Sequence, residues 1–225
     1  MSQQSVREMK QAERRGRVIK AAMRLASDGG YDAVHMRDVS AKADVAMGTI
    51  YRYFSSKDEL LAASLVTWVK VLRNRLATHP GKGDTPAERL ADALSAASDV
   101  SENAVPLVKA LITAMSSTDP AVIPHRVEVD GLMGDIIING MGELPEGVDV
   151  EGVRRVMTHV WSSSINRWVS GMAPTGSVAS ELRRAADLLL GHLGTEGAES
   201  TNGTEGGLSA SPPASGSVAR AAAAG

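Results

Sequence analysis

The sequence predicts an all-α protein: an N-terminal three-helix head containing a helix-turn-helix, a larger helical body, and a disordered C-terminal tail. Three observations lead there. Apolar residues recur at helical spacing in nearly every stretch from about residue 13 to 193, and none alternates convincingly with period two. Capping residues, prolines and glycines fall where helices of ordinary length would start and stop. From Gly194 onward the chain is dominated by Gly, Ser, Thr, Ala, Pro and Glu, with Leu208 and Val218 as its larger apolar groups. Such a segment cannot bury enough surface to offset its ordering entropy. The chain has 225 residues, enough for one large or two small domains with a core. The expected divisions are 13–60, 61–193 and 194–225, the head continuing into a linking helix that reaches residue 77.

In order, residues 1–12 are polar and expected to be mobile. The first helix is expected from Glu13 to Asp28, with Val18, Ala22, Leu25 and Ala26 inward and Gly29-Gly30 as its end. Tyr31 and Val34 close a small core. Met36, Val39, Ser40 and Ala43 share one helical face. Asp44, which tolerates a left-handed backbone, marks the turn that follows. A second short helix, about Met47 to Tyr53, turns Ile50 inward and leaves Thr49, Tyr51, Arg52 and Tyr53 reaching outward. Two short helices joined by a tight turn, the second carrying outward polar and aromatic groups, match a DNA-binding helix-turn-helix. Ser56-Lys57-Asp58-Glu59 is a capping box. Its helix should run to about Ala77, with Leu61, Leu65, Trp68, Leu72 and Leu76 on one stripe. The break at His79–Thr85 is short, so head and body are expected to be coupled.

The body reads as helices throughout. Thr85-Pro86-Ala87-Glu88 starts one, carrying Leu90, Leu94 and Ala97. Pro106 divides it from Leu107–Met115, and Ser116–Pro120 opens another, carrying Val127, Met133, Ile136, Ile137 and Met141. After Gly142–Gly147 come a helix at about Val150–Val169 and a last one at Val178–Leu193.

Charge is unevenly spread. Up to residue 60 there are eleven Lys and Arg against eight Asp and Glu, a net +3; the remainder is −5, and the whole chain −2. A positive head on a negative body suits approach to phosphate with one end. The chain has no cysteine, which rules out disulfides and thiolate metal sites and fits a cytoplasmic protein. Neither a membrane span nor a signal-peptide core is present, so no membrane partner is expected. The five histidines lack metal-ligand spacing, and there is no nucleophile elbow, P-loop or dinucleotide fingerprint. The expectation is a protein that is not an enzyme and has no cofactor; Ser162-Ser163-Ser164 reads as polar lining rather than a hydrolase site.

Four of the seven aromatic residues lie in the head: Tyr31, Tyr51, Tyr53 and Phe54. Tyr51 and Tyr53 cannot both face inward from one helix. Arg37 and Thr49 are the candidates for base edges, because Arg bonds guanine bidentately, and Met47 for a thymine methyl. Arg14, Arg15 and Arg17 either reach a phosphate or the minor groove, or form a solvated helix end. The stretch Gly48, Thr49, Tyr51, Tyr53, Phe54, Lys57 and Leu60 resembles the signature of TetR-family transcriptional regulators, Gly-Thr-x-Tyr-x-Tyr/His-Phe-x-x-Lys-x-x-Leu, over about residues 14–65. The resemblance implies that Tyr51 touches backbone or base edges and that Tyr53 and Lys57 hold phosphates. Ala46 departs from the usual Ser cap and His35 from a frequent Thr. GGYDAVHMRDVSAKADVAMGTIYRYFSSK, and more weakly VWSSSINRW, resemble the actinobacterial repressors of cholesterol and steroid catabolism.

For the body there are two readings: a ligand-gated dimerisation domain, or a constitutive dimer whose head alone matters. The difference is a cavity. Leu111, Met115, Met133, Ile137, Trp161, Ser164, Ile165 and Trp168 are its expected lining, with Ser164 and Asn166 offering hydrogen bonds to an apolar small molecule. Val153, Met157, Val160 and Ile165, with Leu182, Ala186, Leu189 and Leu193, are expected to form a four-helix homodimer interface. The expected partners are therefore a palindromic double-stranded DNA operator, a second copy of the chain, and the apolar effector that releases the operator.

Overall fold

A computed structural model of the chain describes residues 3–102 and 104–194. Apart from Gly194, the expected disordered tail lies outside the described residues. Helices account for the architecture, and no strand occurs among the described residues.

The first helix is longer than its sequence reading. α1 spans Gln3–Gly29 and not Glu13 to Asp28. Residues 3–12 have no apolar stripe, but they also contain no Pro or Gly, and a nucleated helix extends readily through such residues. α2 (Met36–Ala43) and α3 (Met47–Tyr53) follow. Between them Asp44 takes φ 51°, as its residue type allows. Ser40 ties the turn twice, its Oγ donating to Val45 O at 2.7 Å while its carbonyl accepts from Val45 N at 3.2 Å. Arg17 closes the end of α2, with Nε 3.1 Å from Ala43 O and Nη2 3.4 Å from Asp44 O. That use of Arg17 sets it apart from its neighbours Arg14 and Arg15. Val18, Ala22, Val34, Val39, Ile50 and Phe54 are buried together as the head's core.

α4 (Lys57–Thr78) joins head and body. Ser56 Oγ accepts from Glu59 N at 3.1 Å, and Glu59 Oε2 reaches back to Ser55 N at 2.6 Å. The box therefore forms with its return bond one residue earlier than the usual pairing. Instead of a single stripe, α4 buries seven consecutive residues, Leu60 to Val66, and Val69. It packs on α1 on one side and on body helices on the other, so no face is left for solvent from Leu60 to Val66.

The body comprises α5 (Pro86–Glu102), α6 (Val105–Met115), a 3-10 turn at Pro120–Val122, α7 (Ile123–Met141), α8 (Val150–Val169) and α9 (Ser177–Leu190). α9 packs against α5 and α8, while α4 packs against α6 and α7. Pro106 sits inside the first turn of α6 and so does not divide the helices itself, since a missing N–H costs nothing there. Val127, expected inward, is 69% exposed. The final residues Gly191–Gly194 tighten into a 3-10 helix rather than continuing α9 to Leu193. Arg89 holds the end of α7, its Nε and Nη2 donating to Met141 O at 3.2 and 3.0 Å. Glu102 accepts from Gly176 N through both oxygens at 2.9 Å, pinning the α8–α9 loop to α5.

Of the eight residues expected at a dimer interface, Val153, Met157, Ile165, Leu182 and Ala186 are buried within the chain's own core. Both helices are consumed on their inner faces by packing on each other and on the rest of the body. The outward apolar groups are Val156 and Leu188, 44% and 79% exposed, with half-buried Val160, Leu189 and Leu193 beside them. No helix among the described residues is long and apolar enough to cross a membrane.

Phe54 is 1% exposed with the Arg15 guanidinium 5.1 Å from its ring centroid. Phe54→Ala should cost about 3–5 kcal/mol in a urea melt; a loss below about 1 kcal/mol would show that this ring is not the keystone of the head.

Candidate nucleic-acid interface and body cavity

The exposed side of the head is built from α3, the start of α2 and the start of α4. Tyr51 is half exposed at 50%, and Gly48, Arg52 and Arg37 are exposed; Thr49, Met47 and Tyr53 are half-buried. Ile50 alone of α3 is fully buried, so the helix is anchored by one side chain and offers the rest. Arg14 is exposed and, with Arg7, Lys10, Gln11, Arg52 and Tyr53, lines a polar hollow between α1 and the end of α3. Arg15 points elsewhere, over the Phe54 ring. Arg7 and Lys10 were not expected at this surface because the sequence predicts the first helix only from Glu13, while Arg52 was expected to reach outward without being assigned to DNA. Their signal was present: Arg7, Lys10, Gln11 and Arg14 fall on one helical face.

Lys57 is not a free cation. Its Nζ lies 3.7 Å from the centroid of the Tyr31 ring and 3.4 Å from Tyr31 O. The Tyr31 hydroxyl in turn donates to Asp58 Oδ1 at 2.5 Å. Tyr31 is thus held between the first two residues of α4, and an incoming phosphate would compete with its ring for Lys57.

In the body, α4, α6, α7 and α8, with Ser101 of α5, line a half-open apolar cavity of about 270 Å³. Of the residues expected to line it, Met115, Met133, Trp161 and Ile165 do. Leu111 and Ile137 are instead fully buried in the surrounding core, and Trp168 is 6% exposed further along α8. Ser164 faces α9, where its hydroxyl donates to Glu181. Asn166 does line the cavity, with its amide nitrogen already donating to Ser162 O at 2.7 Å. The sequence reading missed the contribution of α4 altogether. Leu65, Trp68, Val69 and Leu72 form one wall, and Trp68 also borders a groove against Ile19 and Met23 of α1. Leu65, Trp68 and Leu72 do fall on the apolar stripe expected of this helix, but a stripe shows only that a flank is covered and not whether it meets packed side chains or a void.

A small helix-turn-helix head joined through a shared helix to a hollow helical body is the architecture of a DNA-binding transcriptional regulator. The family models agree: residues 18–64 match "Bacterial regulatory proteins, tetR family" and residues 83–189 match "Tetracyclin repressor-like, C-terminal domain". The chain belongs to the TetR family. It is 35% identical over 181 residues to the HTH-type transcriptional repressor KstR of Rhodococcus jostii, covering 80% of this chain and 84% of that one. A crystal structure of a TetR transcriptional regulator from Rhodococcus sp. RHA1 superposes with a TM-score of 0.70 at 28% identity, covering 80% and 97% of the two chains. FadR of Thermus thermophilus, crystallised with lauroyl-CoA, shares the fold with a TM-score of 0.60 at 23% identity, covering 86% and 99%.

Burial first, and then the Asp58 carboxylate, push the Tyr31 hydroxyl up to about 12 from its ordinary 10. Unfolded Tyr31 would ionise first, so the stability it contributes is complete below pH 10 and is lost as pH rises to about 12. The phenolate absorbance that disappears in Tyr31→Phe should be centred near pH 12 in the folded protein; a midpoint at 10 would mean that in solution this hydroxyl is neither buried nor bonded to Asp58.

Proposed function

We propose that this protein is a ligand-responsive repressor that binds a palindromic operator as a homodimer and is released by an apolar small molecule. One observation carries the reading: α4 begins with Lys57 at the head and, two turns later, supplies Leu65, Trp68, Val69 and Leu72 to the cavity wall. A ligand that parts α4 from α6 and α7 must move a helix whose first residue belongs to the DNA-facing surface. Two recognition helices on a rigid two-fold site tolerate little change in spacing.

Base reading falls to Arg37, Thr49, Tyr51 and Met47 with Gly48 allowing close approach, and phosphate binding to Tyr53, Lys57 and Arg14, joined by Arg7, Lys10 and Arg52. Arg15 acts through Phe54 packing as well as charge. Val156 and Leu188, with Val160 and Leu189, supply the outward apolar patch for a symmetric pairing of α8 and α9. The similarity to KstR supports repression. The lauroyl-CoA complex of the T. thermophilus neighbour supports an acyl effector. The alternative, a constitutive binder, leaves this cavity without a use.

Lys57→Ala and Tyr53→Phe should weaken binding to all sequences alike, and Lys57→Ala should flatten the salt dependence by roughly one counterion. Arg37→Ala should cost about 1–3 kcal/mol at one base pair and relax the selected sequence there. Selection of sites from random DNA reads both, and an unchanged preference in Arg37→Ala would remove that residue from base readout. Met133→Trp, which fills the cavity, should keep operator binding and abolish release by ligands. A hundredfold release corresponds to about 2.7 kcal/mol of coupling, which the operator must return as weaker ligand binding. Leu188→Glu with Val156→Glu should give a monomer in sedimentation; a persistent dimer would place the interface elsewhere.

A further inference from the structure

Arg126 is the one ionisable side chain in the cavity lining. It is half-buried, and no carboxylate among the described residues pairs with it. Its guanidinium is spent on main chain: Nε donates to Met115 O at 2.7 Å and Nη2 donates to Ser117 O. Nη1 has no acceptor among the described residues. A partly desolvated guanidinium is ordinarily matched by a carboxylate or phosphate, whose two oxygens fit its planar fork.

The carbonyls that Arg126 holds lie at the start of a short relay. Met115 ends α6, and Ser117 lies two residues before Asp119. Ser117 Oγ accepts from Asp119 N at 3.2 Å. Asp119 Oδ1 accepts from Ala121 N at 2.9 Å, capping the 3-10 turn that leads into α7. Its other oxygen, Oδ2, accepts from Ser56 Oγ at 2.5 Å. Ser56 is the N-cap of α4, and Lys57 is the next residue. The α6–α7 loop is therefore bonded at one end to a cavity cation and at the other to the cap of the helix that enters the head.

We propose that the effector carries an anionic end that Arg126 reads, and that Arg126 in turning to it releases the 115–119 loop, loosening the Asp119–Ser56 link and so the seating of α4. The inference rests on the ligand-gated reading above and specifies its chemistry. An apolar body alone occupies the cavity; the anion supplies the signal. Carboxylate and nucleotide phosphate share this chemistry, and the probes below separate them.

The full-length protein bound to its selected operator is titrated with laurate, lauroyl-CoA and dodecanol, and with a steroid carboxylic acid and its alcohol. Cavity entry is read from the fluorescence of Trp68 and Trp161, and release from operator anisotropy. Anionic probes should lower operator affinity roughly tenfold or more, and the alcohols less than about twofold despite entering. Whichever of laurate and lauroyl-CoA acts more strongly identifies carboxylate or phosphate as the group read. Arg126→Gln should erase the preference for acid over alcohol, and Arg126→Lys should keep part of it. Asp119→Ala and Ser56→Ala should still take up laurate within about twofold of the parent affinity, but should bind the operator roughly tenfold more weakly before any ligand is added, so that laurate releases little more; parent-like operator affinity in Asp119→Ala would overturn the relay. Ser56→Thr, which keeps both the cap on Glu59 N and the hydroxyl that meets Asp119, should behave as the parent, and Asp119→Ala, which leaves the Ser56 cap in place, separates loss of the link from loss of the cap. Equal release by acids and alcohols, or an acid preference that survives in Arg126→Gln, overturns this inference and leaves the ligand-gated reading standing. Entry of no probe, or release by none, overturns both.

Discussion

The constraint on which the rest of the structure depends is that α4 belongs to two cores at once. Its residues from Leu60 to Val66 are buried without interruption, against α1 on one side and against α6 and α7 on the other. Apolar burial is non-directional and close-packed, so a helix enclosed this way cannot shift on one flank without disturbing the other. Head and body are therefore mechanically one object, even though their compositions differ and their net charges are opposite in sign.

Three helix C-termini are closed by arginines reaching across the fold, whereas the N-termini of α4, α5 and α8 carry local caps. Arg17 from α1 holds the carbonyls at the end of α2, Arg89 from α5 those at the end of α7, and Arg126 from α7 those at the end of α6. Unpaired carbonyls at a helix C-terminus need donors, and a guanidinium satisfies more than one at a time. Each clamp fixes the position of one helix relative to another. The same residue type that supplies charge for nucleic acid thus also sets interhelical geometry, which is why a count of arginines near the head overstates the number available to phosphate.

Much of the chain was legible in sequence. The turn at Asp44, the capping boxes at Ser56 and Thr85, and α8 at Val150–Val169 follow from local rules that depend on a few neighbouring residues. The long α1 was not legible, because a solvated helix needs no apolar stripe and none was there to see. Half of the residues expected in the cavity lining, Met115, Met133, Trp161 and Ile165, are there, large apolar groups on separate helices. The other half are not: Leu111 and Leu65 are equally apolar in sequence, yet one fills the core and the other borders the void.

The sequence by itself determined the helical class, the helix-turn-helix and its exposed residue set, because periodicity, caps and turn residues act over a few positions. Only the tertiary structure decided which flank of α4 faces the cavity, that Lys57 rests on Tyr31, that Arg126 lies in an apolar wall, and that Asp119 meets Ser56 across 63 positions of chain. Those pairings are set by how the helices pack in three dimensions, and no local pattern in the chain encodes which distant partner a side chain will meet.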